Sequence, residues 1–197
     1  MSLKKKSTIL FIFALVGALF ASPSQAQSVC VKFEAPDFVI GDVYGAPVGQ
    51  SSGDWAFNSN GIDGYVYKFL LFSGSAFNRA YIDNAPVAFS PGQSLRTNNI
   101  NLLFDFTRLG FIVKKVTFSF LDLGGHENLA PNPGGIYVGE LSSAPPVING
   151  ANVTVTSTTL PPPISGKKGQ VVITASNIKS VMVGGQEFWI DSVCATE

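Results

Sequence analysis

The densest group of side chains able to do chemistry is the string Leu121-Asp122-Leu123-Gly124-Gly125-His126-Glu127-Asn128-Leu129. It sets an imidazole beside a carboxylate and an amide in a glycine-rich bend that follows a strong strand pattern. Such a loop could hold a ligand or a cation, and a solvated turn carries the same residue types. His126 is the only histidine, which excludes two-histidine metal motifs such as H-E-x-x-H. Gly49-Gln50-Ser51-Ser52-Gly53 matches G-x-S-x-G. A nucleophile elbow joins a buried strand to a helix, however, and Ser51 lies in a polar stretch with no helical period after it. Ser51, Asp105 or Asp122, and His126 therefore form a triad only on paper. The chain has neither a phosphate-binding loop nor a dinucleotide fingerprint.

A second kind of chemistry is recognition without turnover. Side-chain amides pair donors and acceptors as sugar hydroxyls require, and Asn98, Asn99 and Asn101 are clustered. Turn formation accounts equally for Asn98 and Asn99. Trp55, Tyr44, Tyr65, Tyr67 and Tyr137 could supply an aromatic surface for a sugar ring, although most aromatics of a β-sandwich belong to its core. Trp55 is the best of them because it stands in the polar stretch Ser52-Gly53-Asp54-Trp55. The ligand-binding candidates are thus Trp55, Asn101, His126, Glu127 and Asn128. Asn152-Val153-Thr154 is a glycosylation sequon, idle behind a signal of bacterial character.

The elements that must position these residues read as strands. Val29 to Phe33 is short, and Tyr65 to Phe72 is nearly unbroken in apolar character. Leu102, Phe104 and Phe106 alternate with less apolar neighbours. So do Val116, Phe118 and Phe120, and then Val153 and Val155. Val171 to Thr174 and Phe188 to Val193 complete the set. A period of two in β-branched and aromatic residues is the strand signature. Asn60-Gly61 and Asn149-Gly150 suit tight turns with positive φ. Gly124-Gly125, Gly134-Gly135 and Gly184-Gly185 interrupt the pattern, and Pro161-Pro162-Pro163 reads as an extended loop. No sustained helical period appears, so the expectation is an all-β sandwich or barrel.

The N-terminus carries Lys4, Lys5 and Lys6, an apolar run from Thr8 to Ala21, and small residues at Ser24 and Ala26. That is the pattern of a secretory signal peptide cut after Ala26. The run is too short for a membrane span. Residues 1–26 are read as the signal and 27–197 as one β-sandwich domain that is secreted, periplasmic or extracellular. Removing three lysines leaves 10 basic and 13 acidic residues. With no basic patch, nucleic acid is not an expected partner, and no later stretch would insert the mature chain in a membrane. The only two cysteines, Cys30 and Cys194, stand near the two ends of that domain. In an oxidising compartment they are expected to pair.

Two short strings add a resemblance. Val31-Lys32-Phe33-Glu34 opens the domain and Glu187-Phe188-Trp189-Ile190-Asp191-Ser192-Val193 closes it. This Phe-Glu opening and aromatic-Ile-Asp-x-Val closing strand resemble the jelly-roll carbohydrate-binding modules of the galactose-binding-like type. The resemblance covers the two ends of the chain only, and the whole also resembles small exported bacterial proteins of unassigned role. It implies a jelly-roll β-sandwich, a structural Ca2+ held by Glu34 and Asp191, and a glycan or other extracellular ligand. The expected function is a secreted, non-catalytic, glycan-binding domain. A structural or adhesive surface protein is the alternative, and a secreted hydrolase a further one. An exposed row of aromatics on one sheet face would favour the first reading. A deep pocket joining His126 to carboxylates would favour the last.

Overall fold

The computed structural model describes residues 26–197, so the expected export signal, apart from Ala26, lies outside the described residues. Sixteen strands form two antiparallel sheets packed face to face, which is the all-β sandwich expected from the alternating pattern. The first sheet contains β1 (Ser28–Val31), β2 (Val43–Gly45), β6 (Arg79–Asp83), β7 (Ser94–Asn98) and β9 (Lys115–Asp122). It is completed by β12 (Val147–Ile148), β13 (Ala151–Thr159), β14 (Lys167–Thr174) and β16 (Phe188–Thr196). Its order is β12-β13-β14-β9-β16-β7-β6-β2, with β1 also on β16. The second sheet contains β3 (Trp55–Ser59), β4 (Ile62–Leu71), β5 (Gly74–Ala76), β8 (Ile100–Asp105), β10 (Glu127–Pro131), β11 (Tyr137–Gly139) and β15 (Ser180–Gly185). Its order is β11-β10-β15-β8-β4-β3, with β5 on the far end of β4.

The core is what the period of two predicts. Phe118 and Phe120 of the first sheet, Ile100, Leu102 and Phe104 of the second, and Val66 all point into one buried cluster. At one end Phe33, Phe38, Phe57 and Phe104 meet ring to ring, with Phe38 and Phe57 edge-on at 5.1 Å. Each buried Phe contributes about 1.5–3 kcal/mol of transfer energy. Aromatic edge-to-face contacts add about 0.5–1.5 kcal/mol each.

The outer faces differ, and that difference matters for function. On the first sheet Trp189, Leu121 and Leu160 are buried outward against Ala85, Val87, Phe89 and Leu123, so the segment between β6 and β7 covers that face. On the second sheet the outward residues Met182, Ala130, Asn101 and Asn128 are buried too, and the outer face is accessible towards the β3–β4 edge.

Three readings of the sequence change in the structure. Trp55 opens an edge strand rather than sitting within the preceding loop. Glu127 and Asn128 lie in β10, not in the glycine bend; strand Glu127–Pro131 is buried at every position, so it shows no polar-apolar alternation to read. Gly184-Gly185 ends β15 instead of breaking the pattern. A Cβ on Gly184 would run into the Ile100 carbonyl, and one on Gly185 into Phe188. Close packing, not a turn, requires glycine there. Asn60-Gly61 and Asn149-Gly150 do form tight turns, with both residues of each pair at positive φ. Among the described residues the helical turns are the 3-10 pieces Ala46–Val48 and Leu141–Ser143, and no helix is long and apolar enough to cross a membrane.

Cys30 and Cys194 face each other across the β1–β16 ladder and form the disulfide. It closes a loop of 164 residues in sequence. The chain-entropy model gives such a loop a stabilisation of about 5 kcal/mol. Replacing both cysteines by alanine should therefore lower the unfolding free energy in urea by up to about 5 kcal/mol. A loss below about 1 kcal/mol would show that β1 is held by its ladder and packing alone.

Candidate functional site

The outer face of the second sheet carries a row of apolar and aromatic residues in ladder register. Trp55 of β3 pairs with Tyr65 of β4, Tyr65 with Leu103 of β8, Leu103 with Met182 of β15, and Met182 with Ala130 of β10. Strand alternation turns Tyr65, Leu103, Met182 and Ala130 away from the core, and a register irregularity in β3 between Trp55 and Phe57 lets Trp55 stay outside while Phe57 joins the core. Trp55 is 55% exposed, and its indole N–H reaches Asp63 Oδ1 at 3.4 Å. Asp63 is itself fixed by Asn58 at 2.9 Å and by Arg108 at 3.1 Å. The Trp55 ring is thus presented to solvent from a tethered edge. Tyr67 stands two residues beyond Tyr65 on the same face, half-buried.

The next row in register is Tyr67, Asn101, Gly184 and Asn128. Both asparagines are fully buried. The ladder between β4 and β8 ends at Lys68, after which the tail of β4 needs other partners. Asn128 supplies them. Its Oδ1 accepts from the Leu70 N–H at 2.7 Å and its Nδ2 donates to the Leu70 carbonyl at 3.0 Å. Asn101 Nδ2 donates to the Lys68 carbonyl at 2.8 Å and to Asn128 Oδ1 at 3.0 Å. The two side chains act as one more rung of sheet for a strand that has left its neighbour. Their amide N–H groups and the Asn128 oxygen are committed to backbone and to each other, while the buried Asn101 Oδ1 has no partner. At the end of that tail the Phe72 ring, 72% exposed, meets the His126 imidazole edge-on at 4.4 Å between centroids. Trp55, Tyr65 and Tyr67 therefore lie on the same side of the sandwich as the Phe72–His126 pair, with the β4 tail between the two groups.

Glu127 faces the other way. It shares the inward register of Leu129, is fully buried, and its Oε2 accepts from the Leu141 N–H at 2.9 Å. Asp122, the last residue of β9, comes from the opposite sheet, so the short crossing from β9 to β10 brings two carboxyl groups together at the rim of the interior. Burial pushes the Glu127 carboxyl up to about 8, and the neighbouring Asp122 charge adds to the rise. Burial likewise raises Asp122, against the Gly124 N–H that donates to its Oδ1 at 2.8 Å. The Asp122 carboxyl acts on Glu127 as a neighbouring like charge. Glu127 Oε1 still has no partner in good hydrogen-bond geometry. Asp122 reads as a polar residue of a loop in sequence; only the sheet crossing reveals its partner.

Glu34 and Asp191, near the two chain ends, do meet. They line a cleft of about 340 Å3 with Lys32, Pro91, Gly92 and Ser192. Burial raises the Asp191 carboxyl, Ser90 and the Ser192 N–H oppose the rise, and the Glu34 charge adds to it. Glu34 Oε1 accepts from the Gln93 N–H at 2.8 Å. A Cβ at Gly92 would overlap the Glu34 carboxylate. These carboxylates are the oxygen donors Ca2+ prefers, but Ca2+ takes six to eight, and among the described residues no three His, Cys, Asp or Glu side chains converge as a metal set. Main-chain carbonyls and water would have to complete a shell, beside the Lys32 ammonium.

Ser51 remains in the exposed loop before β3, where its N–H donates to Asp54. Among the described residues no hydrogen bond joins it to His126. Tyr44 is core, packed on Phe57 at 5.6 Å, and Tyr137 donates its hydroxyl to the Glu140 carbonyl.

No protein-family model, curated protein or solved structure matches the chain.

Two classes of side chain meet on this face, one structural and one exposed. Asn128→Ala should cost about 2–3 kcal/mol, because it strands the Leu70 N–H and carbonyl. Trp55→Ala should cost under about 1 kcal/mol, since half of the ring is already in water. Urea unfolding of both variants checks the pair; equal losses would mean that Trp55 is as structural as Asn128.

Proposed function

We propose that this protein is a secreted, non-catalytic glycan-binding domain that uses the accessible β3–β4 edge of the outer face of the second sheet. The observation that carries the reading is the exposed Trp55 indole in ladder register with the half-buried Tyr65, at the accessible edge of that face. Apolar sugar faces stack on such rings. Tyr67 extends the surface along β4, and the Phe72–His126 pair bounds it at the far side of the β4 tail. The serine and histidine of the paper triad stay apart, and the buried carboxyl pair is closed off from solvent at Glu127. Both facts favour binding over hydrolysis. The disulfide is compatible with an oxidising destination.

An open face desolvates little of its ligand, so affinities of about 10 μM to 1 mM are expected. Trp55→Ala should reduce retention on an immobilised neutral polysaccharide panel at least about tenfold while leaving the melting temperature nearly unchanged. Binding unaffected by Trp55→Ala would remove this face from the function. Release of reducing sugar by the purified protein would replace binding with hydrolysis.

Part of the same reading is a structural Ca2+ between Glu34 and Asp191, supported by the two carboxylates converging on one cleft. A divalent cation would relieve their mutual repulsion. The melting temperature in 1 mM Ca2+ should exceed that in excess chelator by a few degrees, on the order of 1 kcal/mol of linkage. Glu34→Gln should abolish the difference. Identical melting curves with and without chelator would eliminate a stabilising calcium site.

A further inference from the structure

We infer that the buried Asp122–Glu127 carboxyl pair is a proton-held latch, which keeps the Leu123–His126 crossing and the Leu141 turn closed while one proton is shared and releases them when it is lost. The geometry comes first. Asp122 ends a strand of one sheet, Glu127 begins a strand of the other, and four residues join them. Gly124 and Gly125 in that crossing both have φ values only glycine adopts readily, 135° and 98°. Gly125 is also packed so tightly on Gln186 that a Cβ would sit 2.5 Å from its side-chain oxygen. The same Gln186 oxygen accepts the His126 N–H at 3.0 Å. Glu127 Oε2 fastens Leu141, the first residue of the 3-10 turn after β11. The buried Oε1 has no well-placed partner, so an ionised Glu127 would leave charge beside Asp122 with nothing to neutralise it. Two close carboxyls in such a site hold one proton between them.

The surrounding charges do not rescue the ionised form. Glu140, ahead of the turn, is a second negative group that raises Glu127. Lys167 of β14 is the nearby cation, but its ammonium is engaged with Glu140 at 2.7 Å and with Ser142. Tyr137 of β11 and His126 of the crossing also lie near the pair, and the Tyr137 hydroxyl is itself raised by burial and by the Glu127 and Glu140 charges; Lys168 of β14 is engaged elsewhere, on the Ala88 carbonyl at 2.8 Å.

The sign follows from linkage. The folded protein keeps a proton on the pair up to about 8, whereas an opened Glu127 releases it from about 4.5. Closure is therefore strongest below about pH 4.5 and is lost progressively as pH rises to about 8. The latch holds the segment that carries His126, at one boundary of the proposed glycan surface, but its readout needs no sugar, so the two ideas fail separately.

Hydrogen exchange of the full disulfide-bonded protein, corrected for intrinsic rates, tests it. Between pH 5 and pH 8 the protection factors of Leu141 and of Gly124 to Asn128 should fall by up to about tenfold per pH unit, and then level. Amides of β9 and β16 should keep theirs. Glu127→Gln retains an oxygen for the Leu141 N–H and cannot ionise, so its profile should be flat. Should Glu127→Gln fail to fold, Asp122→Asn makes the same test, because it removes the like charge and should weaken the fall. Protection that does not change with pH in the wild type, or that falls equally in a folded variant, overturns the latch.

Discussion

Two twisted sheets can bury their apolar faces only against each other, and every other feature of the molecule is arranged around that contact. Strand alternation sends Phe118, Phe120, Leu102, Phe104 and Val66 inward, and with them goes one side of each strand. The remaining side must be solvated, covered or put to use. The first sheet covers its outer face with a segment that seats Val87 and Phe89 on Trp189 and Leu121. The second seals its outer face at Asn101, Asn128, Ala130 and Met182 and leaves it accessible at the β3–β4 edge, where Trp55 is exposed and Tyr65 and Tyr67 are half-buried. The proposed binding surface rests on an asymmetry in how the two outer faces are treated, not on a cavity cut into the fold.

Backbone hydrogen bonding supplies the second constraint. A strand that outruns its neighbour carries N–H and carbonyl groups that must be paired elsewhere. At the end of β4 the pairing comes from Asn128 and Asn101, which are buried because they substitute for a strand. That role removes their amides from ligand recognition and at the same time positions Phe72 against His126. At the sandwich rim the crossing from β9 to β10 has the opposite consequence. It brings two carboxyl groups inward from different sheets, where burial raises both above the ordinary carboxylate range. Structural polarity and functional polarity are thus interleaved along residues 122–128, and burial tells them apart.

The ends of the chain are joined for a related reason. β1 lies on β16, next to β9, so the first and last strands are neighbours and their cysteines fall opposite each other. The same adjacency carries Glu34 to Asp191. A disulfide and an acidic cleft are two results of one pairing in the sheet.

The sequence by itself determined what depends on periodicity and on residue type. The β-sandwich, the strands containing Phe104, Phe118 and Phe188, the asparagine-glycine turns and the pairing of Cys30 with Cys194 were all legible, because alternation and turn chemistry are local. The meeting of Glu34 with Asp191 was legible too, since each lies within four residues of a bonded cysteine. The tertiary structure alone decided which face each polar residue occupies. Strand β10 is buried on both sides, so Glu127 and Asn128 carry no alternation and read as a turn. Gly184 and Gly185 read as a break because the crowding of Ile100 and Phe188 is invisible along the chain. That Trp55 is exposed beside Tyr65, while Asn101 two residues before Leu103 is sealed, depends on which strands lie adjacent and where their ladders end. Those are long-range pairings, and no local pattern encodes them.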